Sequence, residues 1–190
     1  MTRLFLIRHA EPVTAWGADD PDPGLSPLGR VQARAVGEAL IGLGVSHIAS
    51  SPMKRCLETA APLVAATGLT LTREPRVSEV AAPVGVIDRR AWLRENFVWS
   101  DGAARRDWAH VDPSLREWRA RVIEALHDMP GGAAIFSHFI AINAALSAAL
   151  KREETIVHRP AHASIIEIER EGDALRLVRL GAEMNSDDVR

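Results

Sequence analysis

The sequence predicts an α/β fold, a three-layer sandwich with a mostly parallel central sheet flanked by helices. Short apolar segments with the length of buried strands alternate with longer segments of helical periodicity. Such alternation favours a parallel sheet that is covered on both faces. The length of 190 residues suits one domain, which we expect to span residues 1–190.

The first predicted elements are a buried strand, a loop and an amphipathic helix. Residues 3–7 are short and apolar, whereas residues 10–25 are rich in proline, glycine and aspartate and predict a loop. Ser26-Pro27 predicts a helix start, because serine caps helix N-termini and proline fits the first helical position. The expected apolar stripe of this helix comprises Leu28, Val31, Val36, Ala39 and Leu40.

A second strand and helix follow. Residues 47–50 predict the strand, and Ser51-Pro52 repeats the capping signal and opens a helix that runs towards Gly68. Pro62 should kink this helix, because proline removes one helical hydrogen bond. A short strand is expected near residues 69–71.

The second half of the chain predicts three more helices, a buried strand and a closing hairpin. The helices are expected over residues 88–99, from Asp112-Pro113 to about residue 129, and over residues 140–150. Residues 133–137 predict the strand. The hairpin should pair residues 164–168 with residues 175–180.

Composition argues against several functional classes. A net charge of −2 gives no general attraction for nucleic acid or an anionic membrane surface. The single cysteine, Cys56, allows neither an internal disulfide nor a zinc cluster built on thiolates. No apolar run is long enough for a signal-peptide core or a membrane span, so the cytoplasm is the expected location.

Basic side chains follow three of the predicted strands. Arg8 and His9 come after the first strand, Arg55 after the second, and His138 after the strand at residues 133–137. Because ligands bind beyond the carboxyl ends of parallel strands, these two imidazoles and two guanidiniums should meet at one edge of the sheet. Such a site suits a phosphate monoester, which carries about −1.5 to −2 charges.

The same residues suit phosphoryl transfer, which needs mainly a nucleophile, charge neutralisation and alignment. Arg8 and Arg55 could each bind two nonbridging oxygens, and Arg55 lies in the first turn of its predicted helix, where an anion is favoured. Nearby cations should lower the pKa of His9 and keep its lone pair available. We expect His138, protonated, to bridge to the phosphoryl oxygens.

Four segments resemble the motifs of the histidine phosphatase superfamily, also called the phosphoglycerate mutase-like family. They are residues 6–11 (family R-H-G-E), 25–33 (L-[ST]-x-x-G-x-x-Q-A), 50–60 (S-[SP]-x-x-R-[AC]-x-x-T-A) and 137–138 (S-H-G). Their order and spacing agree over residues 4–150, and the hairpin also fits. The resemblance implies a phosphoglycerate mutase-like fold, membership of the small phosphatase branch, and no metal or organic cofactor.

The resemblance also implies roles for individual residues. His9 would accept the phosphoryl group, and Arg8, Arg55 and His138 would complete the phosphate pocket. Glu79 stands where the family places its proton donor. It would protonate the leaving oxygen and then deprotonate the water that attacks phosphohistidine.

Several positions depart from the family pattern. Ala10 and Phe139 replace glycines, Pro12 replaces a threonine, and Ala15 stands where many members carry a phosphate-contacting asparagine. The residues after Glu79 lack the family's glycine- and tryptophan-containing continuation. Phe139 is expected to add bulk near the pocket rim.

The remaining histidines, tryptophans and cysteine favour structural roles. His158 and His162 have i, i+4 spacing, but Pro160 breaks any helix between them, so we expect loop and strand-edge positions instead of a metal site. Packing roles are expected for Trp92, Trp99, Trp108 and Trp118. Cys56 should also pack, although the cation of Arg55 could lower its thiol pKa.

The main hypothesis is a phosphatase acting on a small cytosolic phosphomonoester. The alternatives are phosphoglycerate mutase-type phosphoryl transfer, for which 190 residues leave little room for substrate-holding segments, and a catalytically weak phosphate-binding regulatory protein. Nucleic-acid and membrane partners are not expected. Residues 88–110 could form a lid, and the oligomeric state, monomer or homodimer, stays open.

Overall fold

The computed structural model describes residues 2–14, 20–100 and 102–184, which form a six-stranded sheet covered by helices. The strands are β1 (Thr2–Arg8), β2 (His47–Ser50), β3 (Leu71–Arg73), β4 (Ala133–Ser137), β5 (Ile165–Glu171) and β6 (Ala174–Arg179). Their order in the sheet is β3-β2-β4-β1-β5-β6. The first four strands in that order are parallel, and β5 and β6 form the antiparallel hairpin at one edge. The mostly parallel α/β sheet is thus confirmed.

The helices are α1 (Pro27–Ile41), α2 (Lys54–Thr67), α3 (Arg89–Asn96), α4 (Pro113–Asp128) and α5 (Phe139–Ala149). Single 3-10 turns occupy Pro75–Val77 and Trp108–His110. In this described part of the chain, no helix combines the length and the apolar character that crossing a bilayer would require.

Alternating side chains of the central strands build two apolar layers. Phe5 and Ile7 of β1 pack with side chains of α1 and α2 on one face of the sheet. Leu4 and Leu6 point the other way and pack with side chains of α4 and α5. All four are almost completely buried. Since successive residues of a strand face opposite sides of a sheet, this run of apolar residues requires helices on both faces.

Helix α1 starts where the sequence predicts, but its buried face is different. Ser26 caps the helix by accepting a hydrogen bond from the Gly29 amide at 2.9 Å. The expected stripe is wrong at Leu28 and Val31, which are half exposed, and at Ala39, which is also exposed. Gly29 and Ala33 are buried instead, and Gly29 packs directly against the backbone of Glu11.

The expected cap at Ser51-Pro52 is also wrong. Helix α2 begins at Lys54, and its N-cap residue, Met53, makes no side-chain capping bond. The hydroxyl of Ser51 lies 2.8 Å from Nε2 of His138. The helix continues past Pro62 to Thr67. Strand β3 begins at Leu71, two residues later than expected, and its register pairs Leu71 with Ile48 of β2.

Residues 88–118 form an aromatic cluster on top of α5. Phe97, Trp99 and Trp108 are buried there, with the partly buried Trp92 and Trp118 packed against them. The Trp99 ring meets the Phe139 ring edge to face at 6.3 Å between centroids. The tryptophans therefore have the packing role that the sequence predicts, and the expected lid segment rests directly beside the start of α5.

Candidate active site

The strand register brings the predicted site residues together. Arg8 of β1 is paired with Ser137 of β4, so that His9 and His138 leave neighbouring parallel strands at the same level. Their rings lie 5.2 Å apart between centroids, edge to face. The amide of His9 also donates to the Ser137 carbonyl at 2.9 Å. This juxtaposition is the one expected from the apolar strands and the residues that follow them.

One ring nitrogen of His9 is hydrogen bonded to the backbone, which fixes the tautomer of the imidazole. Nδ1 lies 2.9 Å from the Ala10 carbonyl oxygen, which can only accept a hydrogen bond. Nδ1 therefore carries the proton, and Nε2 keeps its lone pair. Burial, followed by the proximity of His138, Arg55 and Arg8, holds the pKa of His9 well below its usual 6.5. At neutral pH this imidazole is therefore neutral, with its lone pair on Nε2.

Arg8 is a buried cation fixed by its surroundings. Its Nη1 donates to the Pro160 carbonyl at 2.8 Å, and its guanidinium lies 5.2 Å from the centroid of the Phe139 ring. Burial lowers the pKa of Arg8 to about 10, so it remains charged at neutral pH. Phe139, which replaces the family's glycine, thus packs against the guanidinium as a cation–π partner.

Arg55 and His138 are directly hydrogen bonded. Nη2 of Arg55 lies 3.2 Å from Nδ1 of His138, and because a guanidinium can only donate, Nδ1 is the acceptor. The ring proton is therefore on Nε2, which donates to the Ser51 hydroxyl. Burial, then Arg55 and Arg8, hold the pKa of His138 well below 6.5. The expected protonated His138 is thus wrong for this arrangement, in which Arg55 carries the positive charge.

Glu79 lies against the N-terminus of α5. Its Oε2 accepts from the Ile140 amide at 3.0 Å, and its Oε1 from the Ala141 amide at 3.2 Å. The carboxyl group takes the place of a cap, since the N-cap residue His138 makes no capping bond with its side chain. Burial raises the pKa of Glu79, although the backbone amides and Arg55 oppose that shift. A raised carboxyl pKa favours the protonated form that a general acid needs.

Two residues that support the site were not singled out from the sequence. Oγ1 of Thr59 accepts from the Ala10 amide at 2.9 Å and donates to the Arg55 carbonyl at 2.6 Å. Oε1 of Gln32 accepts from the Glu11 amide at 2.9 Å. Both are residues of the motif segments at 50–60 and 25–33. Those motifs therefore hold the segment around His9 in place, which motif membership alone could have suggested.

His162 lies much closer to His9 than the sequence analysis suggests. It lies in a loop as expected, but its ring is 5.8 Å from the ring of His9. His158 points elsewhere, with Nδ1 2.9 Å from Oε1 of Glu183. Among the described residues, no group of three or more histidine, cysteine, aspartate and glutamate side chains is arranged to hold a metal ion.

Other expectations near the site have mixed outcomes. Cys56 is buried, and burial raises the pKa of its thiol to about 12, so the expected lowering by Arg55 is outweighed. It is a packing residue beside the Ser137 carbonyl, 3.5 Å away. Asp22, assigned to the loop, lies 3.7 Å from Nη1 of Arg55. Ala15 lies outside the described residues.

Comparison with known proteins points to one family. A family model for the histidine phosphatase superfamily (branch 1) matches residues 4–183. The probable phosphoglycerate mutase GpmB of Yersinia pestis (strain Pestoides F) is 28% identical over 180 residues, which cover 86% of this chain and 78% of that protein.

Solved structures share the fold. The mycobacterial glucosyl-3-phosphoglycerate phosphatase in complex with inorganic phosphate is 25% identical, with a TM-score of 0.69 over 96% of this chain and 98% of that one. The phosphoserine phosphatase of Entamoeba histolytica, in complex with 3-phosphoglyceric acid, is 20% identical, with a TM-score of 0.70 over 96% and 98% of the two chains.

Proposed function

Because the chain belongs to the histidine phosphatase superfamily, we propose that it hydrolyses phosphomonoesters through a phosphohistidine intermediate on His9. The observation that carries this proposal is the fixed tautomer of His9. Its Nδ1 is hydrogen bonded to the Ala10 carbonyl, so that Nε2 is the nucleophilic atom, and burial together with the charges of Arg55 and Arg8 keeps the ring neutral. The same two guanidiniums suit the charge of the phosphoryl group.

The reaction has two steps that share one proton carrier. In the first, Nε2 of His9 attacks phosphorus, the bond to the ester oxygen breaks, and Glu79 gives its proton to that oxygen. In the second, water attacks the phosphorus of phosphohistidine, Glu79 takes a proton from the water, and His9 regains its lone pair. Arg8 and Arg55 stabilise the charge on the transferred group, and His138 holds Arg55 in position by accepting a hydrogen bond at its Nδ1. Loss of one such donor costs about 3–4 kcal/mol of transition-state stabilisation.

The substrate class is a small phosphorylated metabolite. Support comes from the solved relatives, whose names include glucosyl-3-phosphoglycerate phosphatase and phosphoserine phosphatase, and from complexes with inorganic phosphate and 3-phosphoglyceric acid. The arginines of this chain would supply the positive charge that metal ions supply in other phosphatases, so we infer metal-independent catalysis. We also place the activity in the cytoplasm.

A phosphate-release assay tests the proposal. The panel contains p-nitrophenyl phosphate, phosphoserine, 3-phosphoglycerate and glucosyl-3-phosphoglycerate, each with and without a chelator. We expect release by the wild type that the chelator does not change, and none by His9→Ala. His47→Ala is the matched control, because His47 is exposed and begins β2, at the opposite end of the strand from the site. Equal release by His9→Ala and the wild type would refute the assignment.

A mutase is the second candidate, because the curated relative is named a probable phosphoglycerate mutase. A mutase would interconvert phosphoglycerate isomers without net phosphate release, which the same assay measures when the products are separated. The third candidate is a phosphate-binding protein with little catalysis. It would bind phosphate tightly and accumulate no phosphohistidine.

A further inference from the structure

We propose that His162 is a third imidazole of the active site and donates a hydrogen bond to the phosphoryl group on His9. This inference rests on the proposed phosphatase function and extends its phosphate pocket. The ring of His162 lies 5.8 Å from the ring of His9, tilted by 42°. That separation is close to the 5.2 Å between His9 and His138, so both imidazoles are near neighbours of the nucleophile.

The backbone fixes His162 beside the nucleophile. The Ser164 amide donates to the Ala161 carbonyl at 3.2 Å, which closes a tight turn with His162 and Ala163 at its centre. The Ala163 amide donates to the carbonyl of Arg8 at 3.1 Å. The turn is therefore anchored to the same dipeptide, Arg8-His9, whose side chains bind and attack the phosphoryl group.

The conformation of this turn is unusual. Ala163 has a φ of +55°, a left-handed conformation that residues other than glycine rarely adopt. Such conformations cluster at active sites and binding loops, where the surrounding structure enforces them. Backbone hydrogen bonds of Ala163 and Ser164 hold this turn in place.

His162 is more exposed than the other basic residues around His9. Arg8, His138 and Arg55 are almost completely buried, at 1%, 0% and 7% exposure. His162 is only partly buried. Its imidazole N–H therefore contacts an oxygen on the more exposed side of a phosphoryl group bound to His9.

Three substitutions separate hydrogen bonding from packing. His162→Phe keeps a ring without a donor, His162→Ala removes both, and His162→Asn keeps a side-chain N–H of shorter reach. The probe is orthovanadate, whose dissociation constant is measured by isothermal titration calorimetry and does not depend on turnover. We expect about tenfold to a hundredfold weaker binding for the Phe and Ala variants, as for loss of a charge-assisted hydrogen bond. The Asn variant should stay within about threefold of the wild type.

Controls distinguish this inference from the proposed function. His47→Phe, at an exposed position at the start of β2, should bind vanadate like the wild type, and thermal unfolding of every variant checks folding. If the wild type binds vanadate and hydrolyses p-nitrophenyl phosphate but His162→Phe binds vanadate equally well, His162 has no such role and the phosphatase assignment stands. If the wild type does neither, both proposals fail.

Discussion

Glu79 combines two properties that the proposed chemistry requires of a single carboxyl group. It is hydrogen bonded to amides at the start of α5, and burial raises its pKa above the usual 4.5. The first property fixes its position, because the helix N-terminus holds the carboxyl oxygens. The second keeps a larger fraction of the group protonated as the pH rises towards neutrality. The leaving oxygen needs that proton.

The pH dependence of phosphorylation follows from these shifts. Glu79 must be protonated to donate, so the rate with an alkyl phosphate such as phosphoserine should fall as the pH rises through the raised pKa of Glu79. The pKa of His9 is lowered well below 6.5, so protonation of the nucleophile should reduce the rate only at much lower pH. Glu79→Gln should react about 10²- to 10⁴-fold more slowly, and its rate should no longer fall as the pH rises.

The leaving group provides the control for this prediction. p-Nitrophenolate leaves without protonation, so the rate of phosphorylation by p-nitrophenyl phosphate should fall much less in Glu79→Gln. Single-turnover kinetics with both substrates measure the difference. Equal losses for the two substrates would mean that Glu79 positions α5 and does not donate a proton.

At the residue scale, sequence reasoning succeeded where a residue follows a strand directly. His9 and His138 were located because each comes immediately after a buried apolar strand. His162 was not identified as a neighbour of His9, because the turn that brings it there depends on long-range backbone hydrogen bonds to Arg8. The predicted protonation of His138 is also wrong, because the hydrogen bond from Arg55 to its Nδ1 is a tertiary contact that sequence spacing does not reveal.

At the scale of elements, α1 supports the segment around His9 by packing its backbone directly against the backbone of Glu11. A Cβ atom on Gly29 would overlap the carbonyl oxygen of Glu11, two residues after His9. Ser26 and Gln32 of the same helix region hydrogen bond to the side chain and the amide of Glu11. The motif at residues 25–33 therefore supports the segment that follows His9.

Gly29→Ala should reduce both stability and activity. We expect it to lower the free energy of unfolding by about 1–3 kcal/mol, as overpacking does, and to lower kcat because the segment around His9 must move. The matched control is Gly42→Ala at the other end of α1, where the nearest atom to an added Cβ, the Ala39 carbonyl oxygen, is 3.6 Å away. Urea unfolding and p-nitrophenyl phosphate turnover measure both effects. Similar values for the two variants would show that the contact of Gly29 with Glu11 does not support the segment around His9.

The elements themselves were largely predictable, and their exceptions have local causes. Proline and serine signals located the starts of α1 and α4 because each cap is satisfied within a few residues. The same signal at Ser51-Pro52 failed, since the serine hydroxyl lies against His138 and the helix begins later. The predicted apolar stripe of α1 is wrong at Leu28, because the close contact of Gly29 with Glu11 decides which face of the helix is buried.

For the whole molecule, we propose that the chain is one domain with residues 88–110 as a lid. The aromatic cluster joins that segment to α4 and to Phe139 and Ile140 of α5, next to His138. Four of the five tryptophans, at positions 92, 99, 108 and 118, belong to this cluster. Tryptophan fluorescence therefore reports on the lid side of the molecule separately from the sheet.

The lid should unfold together with the sheet. In a Trp16→Phe variant, fluorescence and far-UV circular dichroism should give the same urea midpoint, because the cluster shares its buried surface with α5. An earlier fluorescence transition would show that residues 88–118 form a separate, less stable unit.

The sheet order could be anticipated only as mostly parallel, because no local pattern specifies that β4 lies between β1 and β2.

The most direct test of the account is rapid-quench labelling with a ³²P-phosphomonoester that the panel identifies as a substrate. The account predicts an adduct that is stable in base and labile in acid, that forms at a rate sufficient for turnover, and that maps to the peptide containing His9. Glu79→Gln labelled with p-nitrophenyl [³²P]phosphate should accumulate more of it, because the water step lacks its base. Turnover without a labelled histidine, or a label on any other residue, would contradict the account.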